Sequence, residues 1–230
     1  MTDTLVSARC CELSSRQLEQ PDWLDGGEVK DNKHRLYEEL KQQILTMSLQ
    51  PDSPLDELEL SAQYGLSRTP VRDTLRRLAG EGYVEIRANH GSRVSPMGHE
   101  IRRSFLLVAP MIFTAIGRLA VQEFKSFQLI ELKAAHERYR AANEAQHAQQ
   151  MVLENHRFHE ILGEMAACPY LEASLSRLLL DQSRMDLLAL RLNDPNTQMA
   201  RCLEWQGALV DAFSDRDEER VAELIRGFWR

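Results

Sequence analysis

The stretch GLSRTPVRDTLRRLAGEGYV, Gly65 to Val84, constrains this chain more than any other. Gly65 suits the end of one helix, and Ser67 can cap the next. Val71, Leu75 and Leu78, at steps of four and three, fall on one inward stripe. Thr69, Arg72, Asp73, Arg76 and Arg77 fall on the opposite face. Pro70 stands third in that helix, in the first turn, where its missing N–H has no intrahelical partner to lose. The proline therefore helps to fix a helix start. Two short β-branched runs follow, YVEIR and SRVSP, joined by ANHG, whose Asn-His-Gly suits a tight turn. Upstream, Leu36, Leu40, Ile44 and Met47 mark one face of a helix beginning near Asn32. LQPDSPLDE breaks that helix with two prolines, and Asp56 caps a short second helix. Helix, helix, turn, helix and hairpin make a winged helix-turn-helix.

The chain as a whole is acidic, with net charge −7. That argues against indiscriminate coating of nucleic acid. Charge acts locally, however, and from Ser67 to Arg93 six arginines stand against Asp73, Glu81 and Glu85. A helix N-terminus carries free N–H groups and partial positive charge, and arginine pairs bidentately with guanine. The outward arginines are what a recognition helix needs. A solvated face with Asp73 paired to Arg77 is the bland alternative, and the helix before and hairpin after weigh against it.

Residues 1–30 carry Pro21 and the Gly26–Gly27 pair with no sustained period, and are expected to be a disordered tail. The winged-helix domain is expected over 31–97, closed by Pro96. From residue 98 to 230 the helical period never yields to strand, which predicts an all-α bundle of six helices, or seven if Pro110 breaks the first. The fold class is mainly α with one small β-hairpin wing. FLLVAPMIFTAIG, Phe105 to Gly117, falls short of the roughly 20 residues that span a bilayer and reads as a buried core helix, with no membrane partner. Cys10, Cys11, Cys168 and Cys202 show neither zinc-site spacing nor disulfide density, and the N-terminus lacks a signal-peptide pattern. A cytoplasmic protein is expected.

At LSRTPVRDTLRRLAGEGYVEIRANHGSRV the chain closely resembles the DNA-binding signature of GntR-family bacterial transcription regulators, and LYEELKQQILTMSLQPDSPLDELELSAQYG is similar to the same domain. The helical region with NHRFHEIL resembles the FCD effector domain of the FadR-type subgroup. The resemblance implies a homodimer that binds a short pseudo-palindromic double-stranded operator and responds to a small metabolite, usually a carboxylate. A metabolite-responsive repressor is the expected function. The DNA contacts it implies are Ser67, Arg68, Thr69 and Arg72 on the recognition helix, with His90 and Gly91 in the wing. Arg76 and Arg77 are assigned to phosphates or to the domain junction. One departure is Leu58, which stands where the family has an arginine that contacts DNA.

The resemblance also implies an effector pocket at Ala109, Phe113, Asn155, His159, Gln206 and Phe228. FCD domains often hold a divalent metal, zinc or nickel in type, with an acidic or amide side chain, a histidine four residues on, and two later histidines. Asn155 and His159 take the first two places. Gln206 (or Trp205, one residue earlier) and Phe228 take the others, and Ala109 and Phe113 replace the pocket arginine and a glutamate. Two readings stand. The pocket is metal-free and more apolar, or His136, His156, His159 and Asn155 regroup around a metal. His156 otherwise reads as a solvated surface residue, and His159 as a core histidine with one hydrogen bond. No nucleophile elbow, phosphate-binding glycine loop or His-Glu-His zinc helix is present, so no enzyme is expected. The alternative function is a winged helix that binds protein.

Overall fold

The computed structural model describes residues 25–192 and 198–229. Among them the chain forms nine helices and three short strands. The head comprises α1 (Asp25–Leu45), β1 (Pro54–Leu55), α2 (Glu57–Tyr64), α3 (Arg68–Gly80), β2 (Val84–Arg87) and β3 (Gly91–Val94). Helix α1 starts ahead of Asn32, so residues 25–30 are helical and not part of a tail; residues 1–24 lie outside the described ones.

Local chemistry sets the head's boundaries. Asp56 accepts hydrogen bonds from the amides of Leu58 and Glu59, and Gly65 ends α2 at φ 63°, where a Cβ would be strained. Ser67 sits at the N-cap of α3, though its side chain makes no cap bond, and Pro70 is the third residue of the helix. Val71, Leu75 and Leu78 are buried against Leu36, Leu40 and Ile44 of α1, giving the head a core of its own. Each such side chain contributes about 1.5–3 kcal/mol on full burial.

The wing is larger than a hairpin. Strand β3 lies between β2 and β1, antiparallel to both, with Val84 opposite Val94 and Leu55 opposite Ser92. The proline-bearing segment read as a plain break thus supplies an edge strand, with Pro54 at its start, where no donor is needed.

The remaining helices are α4 (His99–Glu123), α5 (Ser126–Glu144), α6 (Ala148–Ala166), α7 (Pro169–Leu192), α8 (Gln198–Ser214) and α9 (Glu218–Phe228). Pro110 lies inside an uninterrupted α4. The carbonyl it leaves without an amide partner belongs to Leu106, an exposed residue. Helix α4 is long and apolar enough to cross a membrane by length and composition. Its Phe105–Ala109–Phe113–Ile116–Ala120 face, however, is built into the bundle core. The other side leaves Leu106, Leu107 and Met111 exposed, so the helix is not buried all round. Helix α6 runs through the middle of the bundle, packed against α4, α5 and α7 and reaching α1.

Two arginines of α7 grip the head. Arg184 is fully buried, donating to the carbonyls of Ser95 (2.8 Å) and Pro96 (3.3 Å) and to Asp181 (2.5 Å). Arg177 donates to the carbonyl of Gly82 at 2.8 Å. Leu180, between them, belongs to the head's own apolar core.

Candidate functional site

Two places concentrate chemistry: the outer face of α3 with the wing, and the interior of the bundle. On α3, Ser67, Arg68, Thr69, Arg72 and Arg76 are all exposed, as are His90 and Gly91 at the wing tip. Ser67 makes no side-chain cap bond, so it leaves the amides at the start of α3 uncapped, and a helix N-terminus favours anions. Gly91 has φ 73°, and a Cβ there would meet open space. Its glycine is therefore required by the turn itself, next to Asn89 at φ 62°.

The ion pairs on this face differ from the Asp73–Arg77 pairing considered above. Asp73 faces Lys33 (3.5 Å) and Arg76 (3.9 Å). Arg77 stacks over the Tyr37 ring at 3.7 Å and pairs with Glu81 at 3.1 Å, which holds it against the head. Arg72 is bonded to Glu57 of α2 at 2.7 Å, yet half exposed. Exposed pairs of this kind are worth about 1 kcal/mol or less, so Glu57 holds Arg72 only weakly. Leu58, 57% exposed on α2, adds an apolar contact surface beside them.

In the bundle, the six residues assigned to the pocket are all buried. The side-chain oxygen of Asn155 accepts from Gln206 (2.9 Å) and from the Cys202 thiol (3.3 Å), while its amide donates to Asp186 at 2.9 Å. His136 lies 3.3 Å from the Gln206 oxygen. Burial pushes the Asp186 carboxyl up to about 7, against the lowering effect of bonds from Asn155 and Gln182. His159 donates Nδ1–H to the carbonyl of Asn155 at 2.8 Å, and burial lowers its imidazole to about 4. Around it Trp205 stacks at 5.5 Å and Phe113 meets it edge-on at 5.2 Å, with Phe228 stacked on Trp205 at 4.3 Å. An aromatic wall thus lies against a buried amide network.

The family described as bacterial regulatory proteins, gntR family, matches residues 32–94, and the FCD domain matches residues 111–230. The chain belongs to the GntR family. It is a DNA-binding transcription regulator with an FCD effector domain. Among its relatives is the HTH-type transcriptional repressor RspR of Escherichia coli, 25% identical over 84% of this chain and 85% of that protein. Another is the repressor NagR of Bacillus subtilis, 41% identical over 27% of this chain and 26% of that one. The solved structure of E. coli McbR/YncC shares the fold, with a TM-score of 0.72 at 20% identity over 86% of this chain and 93% of that one.

For a GntR regulator of the FCD type the notable departure is the donor set. Asn155 spends its side-chain oxygen on Gln206 and Cys202, and His159 is wrapped in aromatic rings. Among the described residues no group of three or more His, Cys, Asp or Glu side chains converges as metal ligands do. Nor do the histidines regroup: His136 turns to Gln206, whereas His156 turns to Ser183 (2.9 Å) and Glu160 (3.2 Å). The residues present do not fit a metal centre. His156, read from sequence as a solvated surface residue, is 5% exposed. Asp186 and Gln182 escaped the sequence reading, and Cys202 entered it only as a cysteine without a motif, because no motif spacing ties a lone carboxyl on α7 to an amide on α6. The one available signal was Asp186 within an apolar run, MDLLAL, on the helix read as core.

Proposed function

We propose that this regulator is a repressor that binds a pseudo-palindromic operator as a homodimer, in the cytoplasm, and responds to a weakly charged metabolite. The observation that carries the DNA-binding part is the exposed Arg68–Thr69–Arg72 edge at the start of α3, flanked by His90 and Gly91 of the wing. Arg72 reaches base edges, Ser67, Arg68 and Thr69 contact bases and phosphates beside it, and Arg76 meets backbone phosphates. Repression is supported by the names of the relatives RspR and NagR. Dimerisation is supported by the exposed Leu106, Leu107 and Met111 on α4, an apolar stripe that a second copy would cover.

The effector is read as lying among Ala109, Phe113, Asn155, His159, Gln206 and Phe228. With Ala109 and Phe113 offering no cation to a carboxylate, aromatic stacking and amide hydrogen bonds select an uncharged or aromatic molecule. The operator, selected from random duplexes by the full-length protein, tests the first part. Arg72→Ala is expected to cost about 1–3 kcal/mol of specific binding with the fold and dimer unchanged. Wild-type binding should weaken steeply with salt. An Arg72→Ala protein that holds its operator as tightly as wild type sinks the recognition-helix assignment. Native mass spectrometry with elemental analysis tests the second part: a dimer without stoichiometric metal is expected, and bound zinc or nickel overturns the metal-free pocket.

A further inference from the structure

We propose that the cleft between the head and the bundle is a second ligand site, shaped for a small organic cation with an apolar body, whose occupancy loosens operator binding. Only the last clause rests on the regulator reading above.

The cleft encloses a cavity of about 530 Å³, within the range that takes small molecules. Its lining includes none of the six residues assigned to the effector pocket. One wall comes from the head, with Tyr37 and Lys41 of α1 and Tyr83 after α3; the other comes from α6 and the start of α7. Four carboxylates line it, Glu81, Glu160, Glu164 and Glu172, against the permanent cations Lys41 and Arg157. Arg77, outside the lining, pairs with Glu81, and Arg157 pairs with Glu164, so with His156 neutral the four carboxylates exceed these three cations by one. Ile116, Leu175 and Leu179 supply an apolar floor.

Lys41 shows what this place holds. Its ammonium lies 2.7 Å from Glu160 and 5.8 Å from the centre of the Tyr83 ring. A carboxylate beside an aromatic face is a site for an alkylammonium. Burial alone pushes the Glu160 carboxyl up, but His156 and Lys41 outweigh it and hold Glu160 ionised well below the ordinary range. A ligand amine entering the cavity meets the same two partners and competes with Lys41 for them. The Lys41–Glu160 pair also joins the head to the bundle, because Lys41 is on α1 and Glu160 on α6. Displacing Lys41 removes that tie and leaves Arg177 and Arg184 holding the head from α7.

Cys168 lies on the cavity wall, free and partly exposed, and reports occupancy locally. The experiment follows alkylation of Cys168 by iodoacetamide in the full-length protein, read by peptide mass spectrometry. The probes are phenethylamine and cyclohexylmethylamine, with 3-phenylpropionate as the control of opposite charge. Both amines are expected to slow alkylation about fivefold at saturation, and the carboxylate to leave it unchanged. Glu160→Gln should weaken amine protection about tenfold, whereas Lys41→Met, which vacates the ammonium position, should strengthen it. A merely structural role for the pair would move both variants the same way. Absence of protection by either amine in wild type and Lys41→Met overturns the site. Equal protection by the carboxylate, or undiminished protection in Glu160→Gln, overturns its charge preference. Operator affinity measured with and without phenethylamine is expected to fall about fivefold on occupancy. Cys168 protection with unchanged affinity overturns the coupling alone. Protection with no operator binding at all overturns the regulator reading and leaves the site standing.

Discussion

Asp186 on α7 and His159 on α6 are both buried in the bundle, and their titrations act on stability with opposite signs. The Asp186 carboxyl is raised from 3.8 to about 7, so the folded state keeps a proton that the unfolded chain has lost. Stability from this group is full below pH 3.8 and falls as pH rises to about 7. The His159 imidazole is lowered from 6.5 to about 4, so the unfolded chain holds the extra proton. Stability from that group is full above pH 6.5 and is lost as pH falls to about 4. Between these limits the two slopes oppose, each near 1.4 kcal/mol per pH unit at most. Urea unfolding across pH 4–7 checks this at the residue scale. Asp186→Asn should leave a stability that rises with pH relative to wild type, and His159→Phe one that falls. Parallel curves for all three proteins would remove the assignment. The Arg72→Ala test belongs to the same scale, since it removes one side chain from a helix whose inward stripe it does not touch.

Helix α4 shows how one element serves two surfaces. Its buried face packs on α9 so closely at Gly117 that an added Cβ would lie 2.3 Å from Ile225 and 3.1 Å from Val221. Ile225 can turn its tip away, but Val221 is fully buried and β-branched, with one strongly preferred χ1 in a helix. Gly117→Ala is therefore expected to destabilise the bundle by about 1–3 kcal/mol, read as a lower Tm with operator affinity intact. An unchanged Tm would mean that α4 and α9 are less tightly apposed. The opposite side of α4 carries the Leu107–Met111 stripe, at the four-residue spacing that puts both on one face. Leu107→Asp with Met111→Asp should convert the dimer to a folded monomer in analytical ultracentrifugation and lower operator affinity with it. A dimer that survives both changes places the interface elsewhere.

For the whole molecule, α7 joins the core of a DNA-binding head to the core of an FCD effector domain. The head was legible because its signals are local. Asp56, Gly65 and Pro70 fix helix ends by bonds made or missing within a few residues, and Val71, Leu75 and Leu78 announce their face by spacing alone. The GntR signature on α3 and the wing lay in the same contiguous stretch. Strand β1 was not legible, since two residues acquire strand geometry only from pairing with β3, some forty positions on. The pocket residues were placed by resemblance, but their state was not: Asn155 acquires Asp186, Cys202 and Gln206 as neighbours only when α6, α7 and α8 pack. His156 was misread as solvated because its partner Ser183 is a helix away. Lys41 and Glu160, 119 positions apart, meet only across the junction of the two domains. By itself the sequence determined the winged helix-turn-helix head and the helical character of the effector domain, set by periodicity and caps over short spans, and the class of protein through its resemblance to GntR regulators. Tertiary structure alone decided which polar groups are buried together, and with that their protonation, the absence of a converging metal-ligand set among the described residues, and the cleft at the junction. Desolvation and pairing energies arise from neighbours in space, and no spacing along the chain encodes them.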